Sequence, residues 1–189
     1  TILSQNTSDQ NSERVFERVR AKYPDWKSVL KAPTSELERV LKPGGLAHTK
    51  SRVIKHVLSE ISRKGDLSLD YLKKMTDTEA EQHLLAFRGV GYKTARCVLL
   101  FALGRDVFPI DTHIYRILIR TGVLSSTVTR EKAHEIVAPL IPRGKSYALH
   151  VNLIRLGREV CRPREPKCPQ CPLRSLCFFA HSAKSTAKK

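Results

Sequence analysis

The sequence predicts an all-α protein of about nine or ten short helices. Three observations lead there. Apolar residues recur at helical spacing along most of the chain, helix-capping signals recur between those stretches, and no run alternates apolar and polar residues long enough to argue for a sheet. The chain has 189 residues, of which 41% are hydrophobic, so it can bury a real core as one compact domain or two small ones.

The elements follow in order. Asn6 or Thr7 can cap a first helix carrying Val15, Phe16 and Val19. Ser35 with Glu38 reads as a capping box, and so does Thr76 with Glu79. From about 49 to 63, Val53, Ile54, Val57, Leu58 and Ile61 share one helical face. Residues 92 to 103 are almost wholly apolar after Lys93 and Arg96, which predicts a central, buried helix. Further helices are expected at 112–121, 130–139 and 145–157. Residues 161–177 hold four prolines and little periodicity, so this loop is organised by something other than a core. The tail, about 181–189, is small and basic and is expected to be disordered.

Lys and Arg number 34 against 18 Asp and Glu, a formal charge of +16. Such an excess calls for a polyanionic partner, nucleic acid ahead of an acidic membrane surface. No apolar run approaches the roughly 18 residues of a membrane span. Five cysteines is an odd count, and four crowd into residues 161–177, unlike a secreted disulfide framework. An intracellular, reducing setting is expected, in cytoplasm, nucleoid or nucleus. The chain opens Thr1-Ile2-Leu3 without an initiator Met, so an N-terminal segment is expected to precede it.

Cys161, Cys168, Cys171 and Cys177 are spaced C-x6-C-x2-C-x5-C. Four thiolates in a short loop make a closed site for a soft metal, either one zinc ion or a four-iron cluster. Zinc ribbons use two C-x2-C knuckles, whereas one C-x2-C flanked by wider gaps suits the corners of a cube better. The metal can serve simply to hold Arg158, Arg162, Arg164, Lys167 and Arg174 against phosphates. Cys97 lies in the apolar helix and reads as a packing residue.

Gly89-Val90-Gly91 sits between an apolar helix end and a helix start, where glycines let a phosphate approach backbone N–H groups. Lys93 follows in the first turn, an unfavourable place for a cation, which argues for a purpose. A phosphate contact is the leading reading from residue type alone. The other is a nucleophile, which requires a neutral amine. Pro109-Ile110-Asp111-Thr112-His113 reads as an extended entry into a helix that Asp111 caps. The same carboxylate can stabilise positive charge on a sugar or take a proton from a nucleophile. His113 reads as a phosphate or structural contact.

Taken together, these residues resemble the endonuclease III branch of the helix-hairpin-helix (HhH-GPD) DNA glycosylases. The resemblance runs from Leu3-Ser4-Gln5 through Gly44-Gly45-Leu46, Gly-Val-Gly-Tyr-Lys-Thr-Ala and Asp-Thr-His to the cysteine loop. It implies two helical lobes flanking a DNA-binding cleft. Residues 1–106 would form a six-helix, barrel-like domain with the hairpin near 84–104, and residues 107–189 a helical iron–sulfur domain. It implies Lys93 as a Schiff-base lysine, Asp111 as a catalytic aspartate, and the four cysteines as ligands of a 4Fe-4S cluster. Gln5 would fill the gap left by an extruded base, Leu46 would wedge into the duplex, and Gly89, Gly91 and His113 would contact DNA. The implied activity is that of a base-excision glycosylase and abasic-site lyase. It would act as a monomer on a damaged pyrimidine in double-stranded DNA.

There are departures. Family members typically begin with one more helical segment, and Ala47-His48 stands where bacterial members often carry a bulkier aromatic residue and Asn. Ser4-Gln5-Asn6-Thr7 and the Cys171–Ala180 stretch are similar to plant members, including the 5-methylcytosine branch. The alternatives are therefore a T:G mismatch or a modified cytosine as substrate, or a non-catalytic DNA-binding module.

Overall fold

The computed structural model describes residues 1–63 and 65–186. The described residues are helical, with turns and loops and no strand. They divide into two compact units, one from Thr1 to Val98 and one from Leu99 onward. The family resemblance implies a division at 106/107.

The first unit holds α1 (Asp9–Lys22), α2 (Trp26–Lys31), α3 (Thr34–Leu41), α4 (Ala47–Arg63), α5 (Asp77–Leu85) and α6 (Tyr92–Cys97). Its core gathers Val15 and Val19 of α1, Val29 of α2 and Leu37, Val40 and Leu41 of α3, with Ile54 and Leu58 of α4 packed against them. Phe16, expected on the buried face, is 41% exposed and lies under the Arg20 guanidinium, so α1 buries a narrower stripe than its apolar residues suggest. The cap of α1 is Ser8, whose side chain accepts from the Asn11 N–H, not Asn6 or Thr7. Asn6 instead adopts the left-handed region at φ 49°.

Thr76 and Glu79 form the expected capping box on α5. Ser35 and Glu38 do not, because α3 already begins at Thr34 after Pro33. Glu38 is thereby free to reach His48, 3.2 Å away. The backbone of α4 covers the expected span and starts two residues earlier.

The second unit holds α7 (Thr112–Thr121), α8 (Arg130–Val137), α9 (Ser146–Glu159) and α10 (Phe178–Thr186). Its core joins Phe108, Ile110, Ile114, Leu118, Leu124, Ala133 and Val137. The helix expected over 92–103 is α-helical only to Cys97 and then widens to a π-helical turn, Val98–Ala102. Phe101 emerges half-exposed from that turn. α10 runs across the first part of the tail expected to be disordered, and the rest of that tail, 187–189, lies outside the described residues.

Asp106 organises the entry to α9: its carboxylate accepts from the Gly144 N–H at 2.5 Å and the Ser146 N–H at 3.2 Å. These bonds, Gly144 first, hold the carboxyl below its ordinary range. Because the folded value is the lower one, the stabilisation is present above the unfolded Asp pKa and is lost as pH falls through the folded value. Thermal melts from about pH 6 to 3 should therefore show Asp106→Asn less stable than wild type at the upper end and converging with it at the lower. A constant gap across that range would contradict this account.

Candidate functional site

The hairpin joins α5 to α6. It is locked by the Arg96–Glu81 ion pair, 2.8 Å and nearly buried at both ends. Gly89 takes φ 88°, and a Cβ there would lie 2.6 Å from Val53 Cγ2 of α4. Both the dihedral and the contact require glycine. Gly89→Ala should destabilise the protein by about 1–3 kcal/mol through strain and overpacking, measurable by urea unfolding. Gly91 caps α6 in ordinary extended geometry with open space around it, so its value is exposure of backbone.

Lys93 sits half-buried in the first turn of α6, between Tyr92 and the buried Thr94. Among the described residues no hydrogen bond or ion pair engages its ammonium group. Gln5 reaches the same hairpin from the N-terminal turn Ile2–Ser4. Its amide donates to Thr94 Oγ1 at 3.0 Å and to the Gly89 carbonyl at 3.4 Å.

Leu46 stands out for two reasons. It is 54% exposed, and its backbone is left-handed at φ 50°. For a residue other than glycine that conformation costs about 1–2 kcal/mol. It follows Gly45, at φ 69°, and its carbonyl accepts from the Lys50 N–H at 2.9 Å, opening α4. A strained, projecting leucine at a helix start has the shape a duplex wedge requires. Beside the hairpin, His48, Thr49, Arg52 and His56 of α4 and Arg88 of the hairpin line a cavity of about 340 Å³ with Val53. Sequence reading missed this basic groove. The signal was there, since residues 48, 52 and 56 are one helical turn apart.

In the second unit, Asp111 caps α7. Its Oδ1 accepts from the His113 N–H at 2.9 Å and the Ile114 N–H at 2.8 Å. Both bonds fall on one oxygen, which leaves Oδ2 for other work. Asparagine caps helices as well as aspartate, so Asp111→Asn should keep the fold while removing the charge. Asp111→Ala should cost about 1 kcal/mol in addition, separable by comparing melts with activity.

His113 packs its ring against Gly157 of α9, where a Cβ would come within 2.6 Å of His113 Cβ. Arg116 Nη2 lies 3.1 Å from His113 Nδ1. A guanidinium only donates, so Nδ1 accepts and the imidazole carries its proton on Nε2, available as a donor.

Arg116 and Arg120, one turn apart on α7, bind the cysteine loop. Arg116 donates to the Cys161 carbonyl at 3.0 Å and the Gly157 carbonyl at 2.9 Å. Arg120 donates to the Arg162 and Pro163 carbonyls at 2.6 and 2.9 Å and to Cys161 Sγ at 3.4 Å, while its own carbonyl accepts from the Cys177 thiol. The Phe179 ring lies under its guanidinium, 4.8 Å away. The helix that begins at Asp111 is thus the post to which the loop is tied. Sequence reading missed both arginines.

All four loop cysteines are free thiols. Burial pushes the Cys168 thiol up, and Cys161, Cys177 and Cys171 push it further. Among the described residues no three side chains are drawn together as ligands of a single ion. Four neighbouring thiols with no disulfide partner fit the donor set of an iron–sulfur cluster.

With this geometry in hand, residues 1–143 match the HhH-GPD superfamily of base excision DNA repair proteins, and the chain belongs to that family. It is 32% identical over 179 residues to endonuclease III of Thermotoga maritima, across 95% of this chain and 80% of that protein. It is 36% identical over 158 residues to an Arabidopsis thaliana protein named as a candidate DNA glycosylase. That match takes in 83% of this chain but 54% of the other, so the chain spans about half the length of that relative. Its fold is similar to that of endonuclease III in a trapped covalent intermediate with DNA, with a TM-score of 0.85 and 26% identity over 97% of this chain and 82% of the other.

Proposed function

We propose that this chain is a base-excision DNA glycosylase with abasic-site lyase activity, acting on an oxidised pyrimidine in double-stranded DNA. The observation that carries this reading is Lys93, an amine without a hydrogen bond or ion pair among the described residues, in the first turn after a glycine hairpin, on a fold similar to that of endonuclease III.

The chemistry needs few parts. Extruding a damaged nucleotide costs a few kcal/mol, least where pairing is weak. Leu46 enters the duplex and Gln5 occupies the vacated space. The Lys93 amine, once neutral, forms a bond to C1′ as the bond to the base breaks and the base leaves with the electron pair. The amine proton is lost and the sugar ring opens to an imine. The imine acidifies C2′–H, and removal of that proton expels the 3′ phosphate, which cuts the strand. We assign Asp111 the carboxylate role in this sequence, stabilising positive charge at the sugar or accepting the amine proton. Cys161, Cys168, Cys171 and Cys177 would hold a 4Fe-4S cluster, whose contribution is to fix the loop bearing Arg162, Arg164, Lys167 and Arg174 for phosphate contact.

The test is base release and strand cleavage, measured on duplexes carrying thymine glycol, a T:G mismatch, 5-methylcytosine or an abasic site. Release of thymine glycol supports the reading. Release of thymine or 5-methylcytosine alone moves the substrate to the alternatives that the plant-like stretches suggest. Binding without release from any duplex leaves a DNA-binding module. With a charge of +16, affinity should fall steeply and log-linearly with salt.

A further inference from the structure

Lys50 is 3% exposed, yet no carboxylate pairs with it among the described residues. Its ammonium group donates instead to two backbone carbonyls, Leu3 and Gly44, at 2.9 Å each. Burial lowers its pKa, because desolvation disfavours the charged form. A lysine is seldom buried without a counter-charge, so the two carbonyls must carry most of the compensation.

The carbonyls mark two separate loops. Leu3 belongs to the N-terminal turn that ends in Gln5, and Gly44 closes the turn Lys42–Gly44 that leads through Gly45 to Leu46. Each loop also contains a left-handed residue other than glycine, Asn6 in the first and Leu46 in the second. Gly44 is itself confined, since a Cβ there would lie 2.9 Å from Val15 Cγ2. Lys50 rises from the first turn of α4, only four residues beyond Leu46, so one side chain ties the wedge loop, the gap-filling loop and the helix start together.

We propose that Lys50 is a positioning residue that couples Gln5 and Leu46, holding the two loops at a fixed separation so that both side chains enter the duplex as one unit. The proposal rests on the reading of Gln5 and Leu46 given above. Strain at Leu46 has to be held by the surroundings; of the two charge-assisted hydrogen bonds from the Lys50 ammonium, one fixes the loop of Leu46 and the other the loop of Gln5. Without the clamp, each loop can relax alone, and base extrusion suffers while the amine chemistry of Lys93 does not.

The experiment uses Lys50→Met, which keeps the length of the stem and removes the donors. Single-turnover excision of a paired damaged base should fall by about a hundredfold, the scale of a misplacement near 1 Å. Borohydride trapping on a single-stranded abasic site, which needs no extrusion, should stay near wild type. Fluorescence of 2-aminopurine beside the lesion should show that unstacking is lost. A Lys50→Met protein slowed equally on both substrates, or on neither, overturns the clamp. A wild type that neither excises nor traps overturns the parent reading and the clamp with it.

Should Lys50→Met fail to fold, Gln5→Ala, Leu46→Ala and the double variant decide the matter. Coupled loops predict that the double variant is little worse than the worse single one, and strictly additive losses overturn the proposal.

Discussion

On the proposed reading of the cysteine loop, replacing Cys168 with serine should strip iron and labile sulfide from the protein and loosen residues 161–177. The wild type should carry about four of each per chain and show the broad visible absorption of an iron–sulfur protein. In the variant both should fall together, since a cube held at three corners is poorly retained. Four basic side chains, Arg162, Arg164, Lys167 and Arg174, depend on that loop. Losing their placement should weaken binding to undamaged duplex at moderate salt by about tenfold or more and flatten the salt dependence. Arg120→Ala is the matching control. It removes the bonds to the Arg162 and Pro163 carbonyls and to Cys161 Sγ but no thiolate, so it should keep the metal and lose part of the affinity. Zinc in place of iron, or full binding by Cys168→Ser, would contradict this account of the loop.

Lys93→Gln has the second large effect. Glutamine is one atom shorter, stays polar and removes the nucleophile. Single-turnover base release should fall by about three orders of magnitude or more, near 4 kcal/mol of lost transition-state stabilisation. Strand cleavage should fall with it, because no imine forms. Binding should change little: one cation fewer lowers the salt slope by about one if Lys93 contacts phosphate, and not at all otherwise. Asp111→Asn should lose base release while keeping its melting temperature, since the cap on α7 survives. A Lys93→Gln protein that still releases base at the wild-type rate would make the lysine a phosphate contact only.

Some of this molecule was open to reading from its residues and some was not. The span of α7 is recoverable from the Asp-Thr-His entry and the glycine at 122, which takes φ 87° at the helix end. The Thr76–Glu79 box is local chemistry and shows in the sequence. The Ser35–Glu38 pattern is the same chemistry on paper, yet the helix starts two residues early, with Pro33 at its cap position, and His48 captures the glutamate. Phe16 misleads because an apolar residue at helical spacing can fall at the edge of the buried stripe, which on α1 is carried by Val15 and Val19 while Phe16 stays 41% exposed.

At the candidate site, residue type and spacing single out Lys93, Asp111 and the four cysteines, while the Schiff-base, carboxylate and cluster roles assigned to them come from the family resemblance. Arg116, Arg120 and Lys50 do not, because they act on backbone carbonyls brought near by folding, and a carbonyl has no signature in sequence. The strain at Leu46 is equally silent, because leucine is among the last residues one would assign to a left-handed turn.

The central claim is that Lys93 becomes covalently joined to DNA. Borohydride reduction during reaction with a duplex carrying a damaged pyrimidine, followed by proteolysis and mass spectrometry, tests it most directly. The wild type should yield a single cross-linked peptide containing Lys93, and Lys93→Gln none. A cross-link at another lysine, or no adduct from a wild type that does release base, would contradict it.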